Sequence, residues 1–223
     1  MQRVIFGEWT PDQPGITGNV TEATNVVAHA NGYGSFPSAA TLSSAASETI
    51  NSLFTGIKDA NVTTIAGGVS KLFKFNSATT ALQDVSKTGG YSTSSMWDFV
   101  QFGNVIVAAN NVDKIQGYTI GTSTTFNDIG ASAPIAKFVT VVRDFVVAAN
   151  INNGTNPNRV QWSDINDETD WAPGATSQSD YQDMSDGGNI TGLTGGEFGL
   201  VLMERGIARM TYSGSPFFFH FIH

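Results

Sequence analysis

From about residue 62 onward, apolar residues fall in short runs, each closed by a polar or turn-forming residue. Val105-Ile106-Val107-Ala108-Ala109-Asn110 is one such run. Phe145-Val146-Val147-Ala148-Ala149-Asn150 nearly repeats it about 40 residues later, and Gly199-Leu200-Val201-Leu202-Met203-Glu204 plays the same part a third time. Continuous apolar stretches of this length suit a strand buried on both faces better than an amphipathic helix. A second element recurs beside them, reading basic, apolar, any residue, then an aromatic within a position or so. Its copies are Lys71-Leu72-Phe73-Lys74-Phe75, Lys114-Ile115-Gln116-Gly117-Tyr118, Arg159-Val160-Gln161-Trp162-Ser163 and Arg209-Met210-Thr211-Tyr212-Ser213. An all-strand period of about 40–50 residues predicts β-propeller-like repeats of four-stranded blades.

The front of the chain reads differently. Pro11, Pro14 and Pro37, with Gly15, Gly18, Gly32 and Gly34, interrupt residues 1–45 too often for a long helix, so an extended N-terminal arm is expected there. Ile50, Leu53, Phe54 and Ile57 stand at helical spacing, while Thr-rich flanks favour a strand, so 45–57 is open between a short helix and a first strand. The predicted organisation is an arm over 1–61 and a partial propeller over 62–223. Its blades, three to four in number, fall at about 62–95, 96–135, 136–185 and 186–223. The apolar runs 105–109, 145–149 and 200–203 are expected to form inner blade strands, with Trp97, Trp162, Trp171 and Tyr212 packed between blades.

Composition narrows the function. Only 13% of the 223 residues are charged, about half the usual quarter. With 11 basic and 19 acidic residues the net charge is −8, and Lys71 with Lys74 is the densest basic pair. Affinity for nucleic acid comes mostly from clustered Lys and Arg neutralising phosphates, so a free-standing binder is excluded, whereas a channel that DNA traverses without sticking is not. There are no cysteines, hence no disulfides and no thiolate chemistry. Met1 to Glu8 holds no apolar leader and no window approaches 18 apolar residues, so cytoplasmic synthesis without membrane insertion is expected. The sequons at Asn19, Asn61, Asn153 and Asn189 read as chance in so Asn- and Thr-rich a chain.

Catalytic signatures are sparse. The three histidines are His29, His220 and His223, two of them in the terminal apolar strand, and no G-x-S-x-G elbow or paired-histidine zinc spacing occurs. The Gly-rich stretches at 66–71 and 192–199 lack phosphate-loop and dinucleotide spacing and read as hairpin turns. The run Trp162-Ser163-Asp164-Ile165-Asn166-Asp167-Glu168-Thr169-Asp170-Trp171 alternates acids as calcium loops do. It lacks both the turn glycine, Thr169 standing near that place, and a closing Glu, Ala175 standing there. It loosely resembles the Asp-box of sialidase-type propellers, a Ser-x-Asp turn followed by Thr and Trp, which implies a structural turn made by Ser163, Asp164, Asn166, Asp170 and Trp171. No cofactor, no metal and no catalytic residue is expected.

Pro11-Asp12-Gln13-Pro14-Gly15, then Ala23-Thr24-Asn25-Val26-Val27, then Gly32-Tyr33-Gly34-Ser35-Phe36-Pro37, stand in an order similar to the start of short-tailed bacteriophage tail hub or nozzle proteins. That family comprises the packaged-DNA-stabilisation proteins and the tail tubular proteins, and the steps at 66–73 and 159–164 resemble its blade motifs. The resemblance implies a structural, non-enzymatic virion protein in a homo-oligomeric ring, commonly six-fold. It would sit below the portal and adaptor proteins, close the channel after packaging and pass double-stranded DNA during ejection. Asn25, Val26, Tyr33, Phe36 and Pro37 are its expected contacts with a neighbour. Chains of that family are considerably longer, so a truncated, split or partial member is expected. The alternatives are a carbohydrate-binding or glycan-hydrolysing propeller and a receptor-binding tail protein.

Overall fold

The computed structural model describes residues 7–12, 14, 16, 18–29, 32–93 and 96–222. Of the residues named above, Met1 to Phe6, Gln13, Gly15 and His223 lie outside the described residues. The chain divides into two compact units, Met1–Leu42 and Ser43–His223. No α-helix occurs among the described residues.

The first unit carries an antiparallel hairpin of β1 (Val26–His29) and β2 (Gly32–Ser35). A parallel bridge joins Trp9 to Val20 before it, with Thr10 N–H donating to the Val20 carbonyl at 2.9 Å. The arm is therefore partly paired strand.

The second unit is a row of four four-stranded antiparallel sheets, each a meander of consecutive strands. The first holds β3 (Ile50–Lys58), β4 (Asn61–Gly68), β5 (Leu72–Asn76) and β6 (Ala81–Asp84). The second holds β7 (Asp98–Phe102), β8 (Val105–Ala109), β9 (Gln116–Thr119) and β10 (Asn127–Asp128). The third holds β11 (Ala136–Val142), β12 (Phe145–Ile151), β13 (Asn156–Trp162) and β14 (Asp180–Asp183). The fourth holds β15 (Ile190–Thr194), β16 (Gly199–Met203), β17 (Gly206–Gly214) and β18 (Phe218–Ile222). The fold is all-β, built of propeller-like four-stranded blades, four of them among the described residues.

Alternation along the apolar runs explains this stacking. In β8, Ile106 and Ala108 face the core shared with the first sheet, while Val105, Val107 and Ala109 face the core shared with the third. In β12, Val146 and Ala148 point back toward the second sheet, and Phe145, Val147 and Ala149 point forward to the fourth. A strand sandwiched in this way needs an apolar residue at every position, which is the pattern these runs show. Each sheet-to-sheet interface thus has its own core. Trp97 lies in the first, Trp171 in the second and Trp162 in the third, with Tyr212 packed against the third.

The runs 105–109, 145–149 and 200–203 are the second strands of their sheets, interior in the strand order, and the basic–apolar–aromatic elements give the third strands. The first strands, β3, β7, β11 and β15, neighbour one another from sheet to sheet. One expectation is corrected. The first sheet begins at Ile50 rather than near residue 62, because Ile50–Lys58 is a strand paired through its length with Asn61–Gly68. Its helix-like spacing mixes two faces. Phe54 turns into the first core, stacked 5.7 Å from Phe99, whereas Leu53 and Ile57 lie on the opposite side.

A first strand has one edge without a strand partner, and its backbone groups need other partners. Side chains of a neighbouring sheet supply them. Gln101 bridges to β3, its Oε1 accepting from Ile57 N–H at 2.9 Å and its Nε2 donating to the Ile57 carbonyl at 2.7 Å. Asp98 Oδ2 accepts from Val139 N–H at 2.8 Å, tying β7 to β11. Between the third and fourth sheets the stitch is main chain, with Gly196 N–H donating to Val141 and Arg143 N–H donating to Gly196. Tight hairpins deliver these edges in register. Gly103 and Arg143, the first residues of two-residue turns, adopt φ of 55° and 51°, as primed turns require.

Candidate functional site

The turn after β13 is built mostly from its own hydrogen bonds. Ser163 is fully buried: its Oγ accepts from Val146 N–H at 3.1 Å and donates to the Asp164 carbonyl at 2.9 Å. Asp164 Oδ1 accepts from Ile165 N–H at 2.8 Å and from Gln178 N–H at 2.7 Å, so one carboxylate pins both ends of a long loop. Asn166 takes a left-handed φ of 55°, and its N–H donates to the Asp144 carbonyl at 2.8 Å. Asp167 Oδ1 accepts the Thr169 hydroxyl at 2.6 Å and its N–H at 2.9 Å, which holds the Asp167 carboxyl below the usual carboxylate range. Asp170 Oδ1 accepts from Ala172 N–H at 3.0 Å. Trp171 closes the turn, buried in the second core with its indole N–H on the Glu168 carbonyl at 2.8 Å.

Ser163, Asp164, Asn166, Asp170 and Trp171 are thus brought together in one turn, and Asp164, Asp167 and Asp170 spend carboxylate oxygens on backbone N–H groups. Among the described residues no group of three or more acids or histidines is placed to hold a metal ion. Beside the turn lies a cleft of about 450 Å³ where Gln101, Asn104, Arg143, Asp144, Asn166 and Glu168 converge from the second and third sheets. Arg143 stands 3.8 Å from Glu197 and 5.2 Å above the Tyr212 ring, which draws its charge toward the fourth sheet.

The arm residues come together in the first unit. Asn25, at φ 56°, accepts at its carbonyl from Phe36 N–H, closing the hairpin. Tyr33 is half-buried with its hydroxyl on the Gly7 carbonyl at 3.3 Å, while Val26, Phe36 and Pro37 are exposed. His29 packs against Gly34 in the same hairpin, and His220 lies exposed on β18, far along the chain from it.

Reading the sequence missed Asp98. Burial pushes its carboxyl above the ordinary value, although it accepts from Val139 and Phe99 N–H groups. An acid raised by burial is a candidate proton carrier when an oxygen is free for substrate. Here both oxygens are engaged with backbone, and the geometry fits a stitch between sheets. No local motif marks it, since its partner stands 41 positions away.

No family model and no curated protein matches this chain. Among solved structures it is similar to the BBS1N chain of the BBS1N–ARL6DN complex, with 13% identity and a TM-score of 0.43 over 72% of this chain and 50% of that one. It is also similar to the computationally designed Ika4 protein, at 16% identity and a TM-score of 0.45, covering 75% and 93%. A third is PorZ, a surface component of the type-IX secretion system of Porphyromonas gingivalis, at 11% identity and 0.43, covering 71% and 19%. The chain spans half the length of the first and about a fifth of the third.

Proposed function

We propose that the chain is a structural part of a short-tailed phage tail, a hub or nozzle that joins copies into a ring below the portal and adaptor. The observation that carries this reading is the aliphatic surface left exposed on the two end sheets of the row. On the outer face of the first sheet Leu53, Ile57 and Val62, at its β3–β4 turn end, are 72%, 57% and 65% exposed, while Ala66 and Phe73 further along the same face are 2% and 3% exposed. On the outer face of the fourth, Leu202, Ile207 and Ile222 are 37%, 58% and 54% exposed. Within the row the equivalent faces are buried against a neighbouring sheet, and apolar surface gains about 25 cal/mol per Å² when removed from water. In this reading the exposed aliphatic positions on the end sheets serve as contacts for further sheets.

The surface chemistry supports the same reading. A net charge of −8 repels phosphate over a Debye length of about 8–10 Å, which suits a conduit that must not hold DNA. The exposed hairpin residues Val26, Phe36 and Pro37 offer a separate patch for a neighbouring protein.

An in-frame deletion of residues 43–223 in a phage genome carrying this gene tests the reading. Heads are expected to package DNA and then lose it, with empty particles dominating in electron micrographs. Particles that keep their DNA and infect normally would contradict the proposal.

A further inference from the structure

The three wedges between outer strands are not equally filled. Tyr91 and Phe126 plug the first, with Phe126 N–H on the Val85 carbonyl, and Ile129, Ala133 and Trp171 plug the second. The third, between β14 and β18, stays open as a cleft of about 440 Å³. That volume lies within the about 300–1,000 Å³ typical of small-molecule sites.

Its walls differ in chemistry. On the third sheet, Asp180 pairs with Trp162 and Gln182 with Val160, so both polar side chains share the face of β13 that carries the buried Trp162. The fourth sheet contributes Phe219, its ring edge-on to Trp162 at 5.1 Å, and Phe221 at 6.4 Å, with Phe217 standing 79% exposed at the mouth. Gln178 fixes the Trp162 ring through its carbonyl at 2.8 Å, and its side-chain oxygen accepts from the Tyr212 hydroxyl at 3.1 Å. One acid lines the cleft, and neither Lys nor Arg does.

We infer that this cleft binds a neutral glycan. A pyranose ring has an apolar C–H face that packs on aromatic rings and equatorial hydroxyls that need acceptors. The exposed Phe217 and half-buried Phe221 offer the first, over the buried Trp162 and Phe219, and the Asp180 carboxylate and Gln182 carboxamide offer the second. Acidic sugars are disfavoured because the Asp180 carboxylate, and neither Lys nor Arg, would face them. The inference stands apart from the tail reading, since a glycan site serves a chain of any assembly state.

The test is an NMR titration of the whole chain, following the Trp162 indole N–H resonance, with maltotriose, chitotriose and mannotriose as neutral probes and with sialyllactose and choline. At least one neutral trisaccharide is expected to shift that resonance saturably in the millimolar range. Asp180→Ala and Gln182→Ala should each weaken that binding tenfold or more. Asp183→Ala, on the same strand but directed to the other face, where it pairs with Arg159 at 2.6 Å, should leave it unchanged. No response to any neutral trisaccharide, equal weakening by Asp183→Ala, or tighter binding of sialyllactose or choline would each overturn the inference.

Discussion

Replacing Trp171 by alanine is expected to destabilise the chain by about 3–5 kcal/mol, the range for truncating a buried aromatic. Trp171 is 1% exposed and sits in the core that joins the second sheet to the third, beside Ile129, Ala136 and Ile151. Removing the ring opens a cavity where the acidic turn packs into the second core. It also frees the Glu168 carbonyl that the indole N–H satisfies. For a domain of this size the loss corresponds to a fall in Tm of about 10 °C, read by circular dichroism. Trp9→Ala is the matched control: that residue is 55% exposed, and its change should stay within about 0.5 kcal/mol. A Trp171→Ala protein melting with the wild type would show that the turn is not anchored there.

Asp98→Ala should cost about 1–3 kcal/mol, because the Val139 N–H that donates to it is left unpaired. Asp98→Asn keeps a carbonyl acceptor at the same place and should recover most of that loss. The two variants separate the hydrogen bond from the charge. Burial raises the folded-state Asp98 carboxyl above the ordinary 3.8. The native state therefore binds a proton more tightly than the unfolded chain, and this contribution is complete below the unfolded value and lost as pH rises through the folded one. The stability of wild type minus that of Asp98→Asn should accordingly increase as pH falls from 7, then level off below about 3.9. Exposed carboxylates such as Asp183, held below the usual range by Arg159, act in the opposite direction, which is why the difference is the quantity to measure. Urea denaturation at a series of pH values checks it; a difference that shrinks on acidification would show that the N–H bonds from Val139 and Phe99 outweigh burial at this carboxylate.

The parts of the fold that the sequence discloses are those where burial on both faces erases ambiguity. β8 and β12 read as strands because every position is apolar, and the third strands are marked by a basic residue before an aromatic. The first sheet is legible only in part, as the blade expected over 62–95. Its second strand, Asn61–Gly68, opens with exposed positions and carries Thr63 on the core face and Thr64 on the outer one, so it shows no continuous apolar run. β3 hides behind a helical spacing that arises from residues on two different faces. In the candidate site, the turn at 163–171 is legible because its partners are neighbours in sequence. Gln101 with Ile57, and Asp98 with Val139, are not, because only the stacking of first strands brings them together. The open cleft is likewise a product of register: Asp180 meets Trp162 across a loop of the chain, through a strand pairing that no local pattern announces.

Sedimentation equilibrium of the wild type against Leu202→Asp/Ile207→Asp addresses the outer faces themselves. These two residues pair across β16 and β17 on the uncovered side of the fourth sheet, so the charges should leave the fold and its Tm intact. The wild type is expected to associate increasingly with concentration, and the double variant to remain a monomer throughout. A wild type that stays monomeric across the same range, indistinguishable from the variant, would contradict the view that the ends of this row of sheets are joining surfaces.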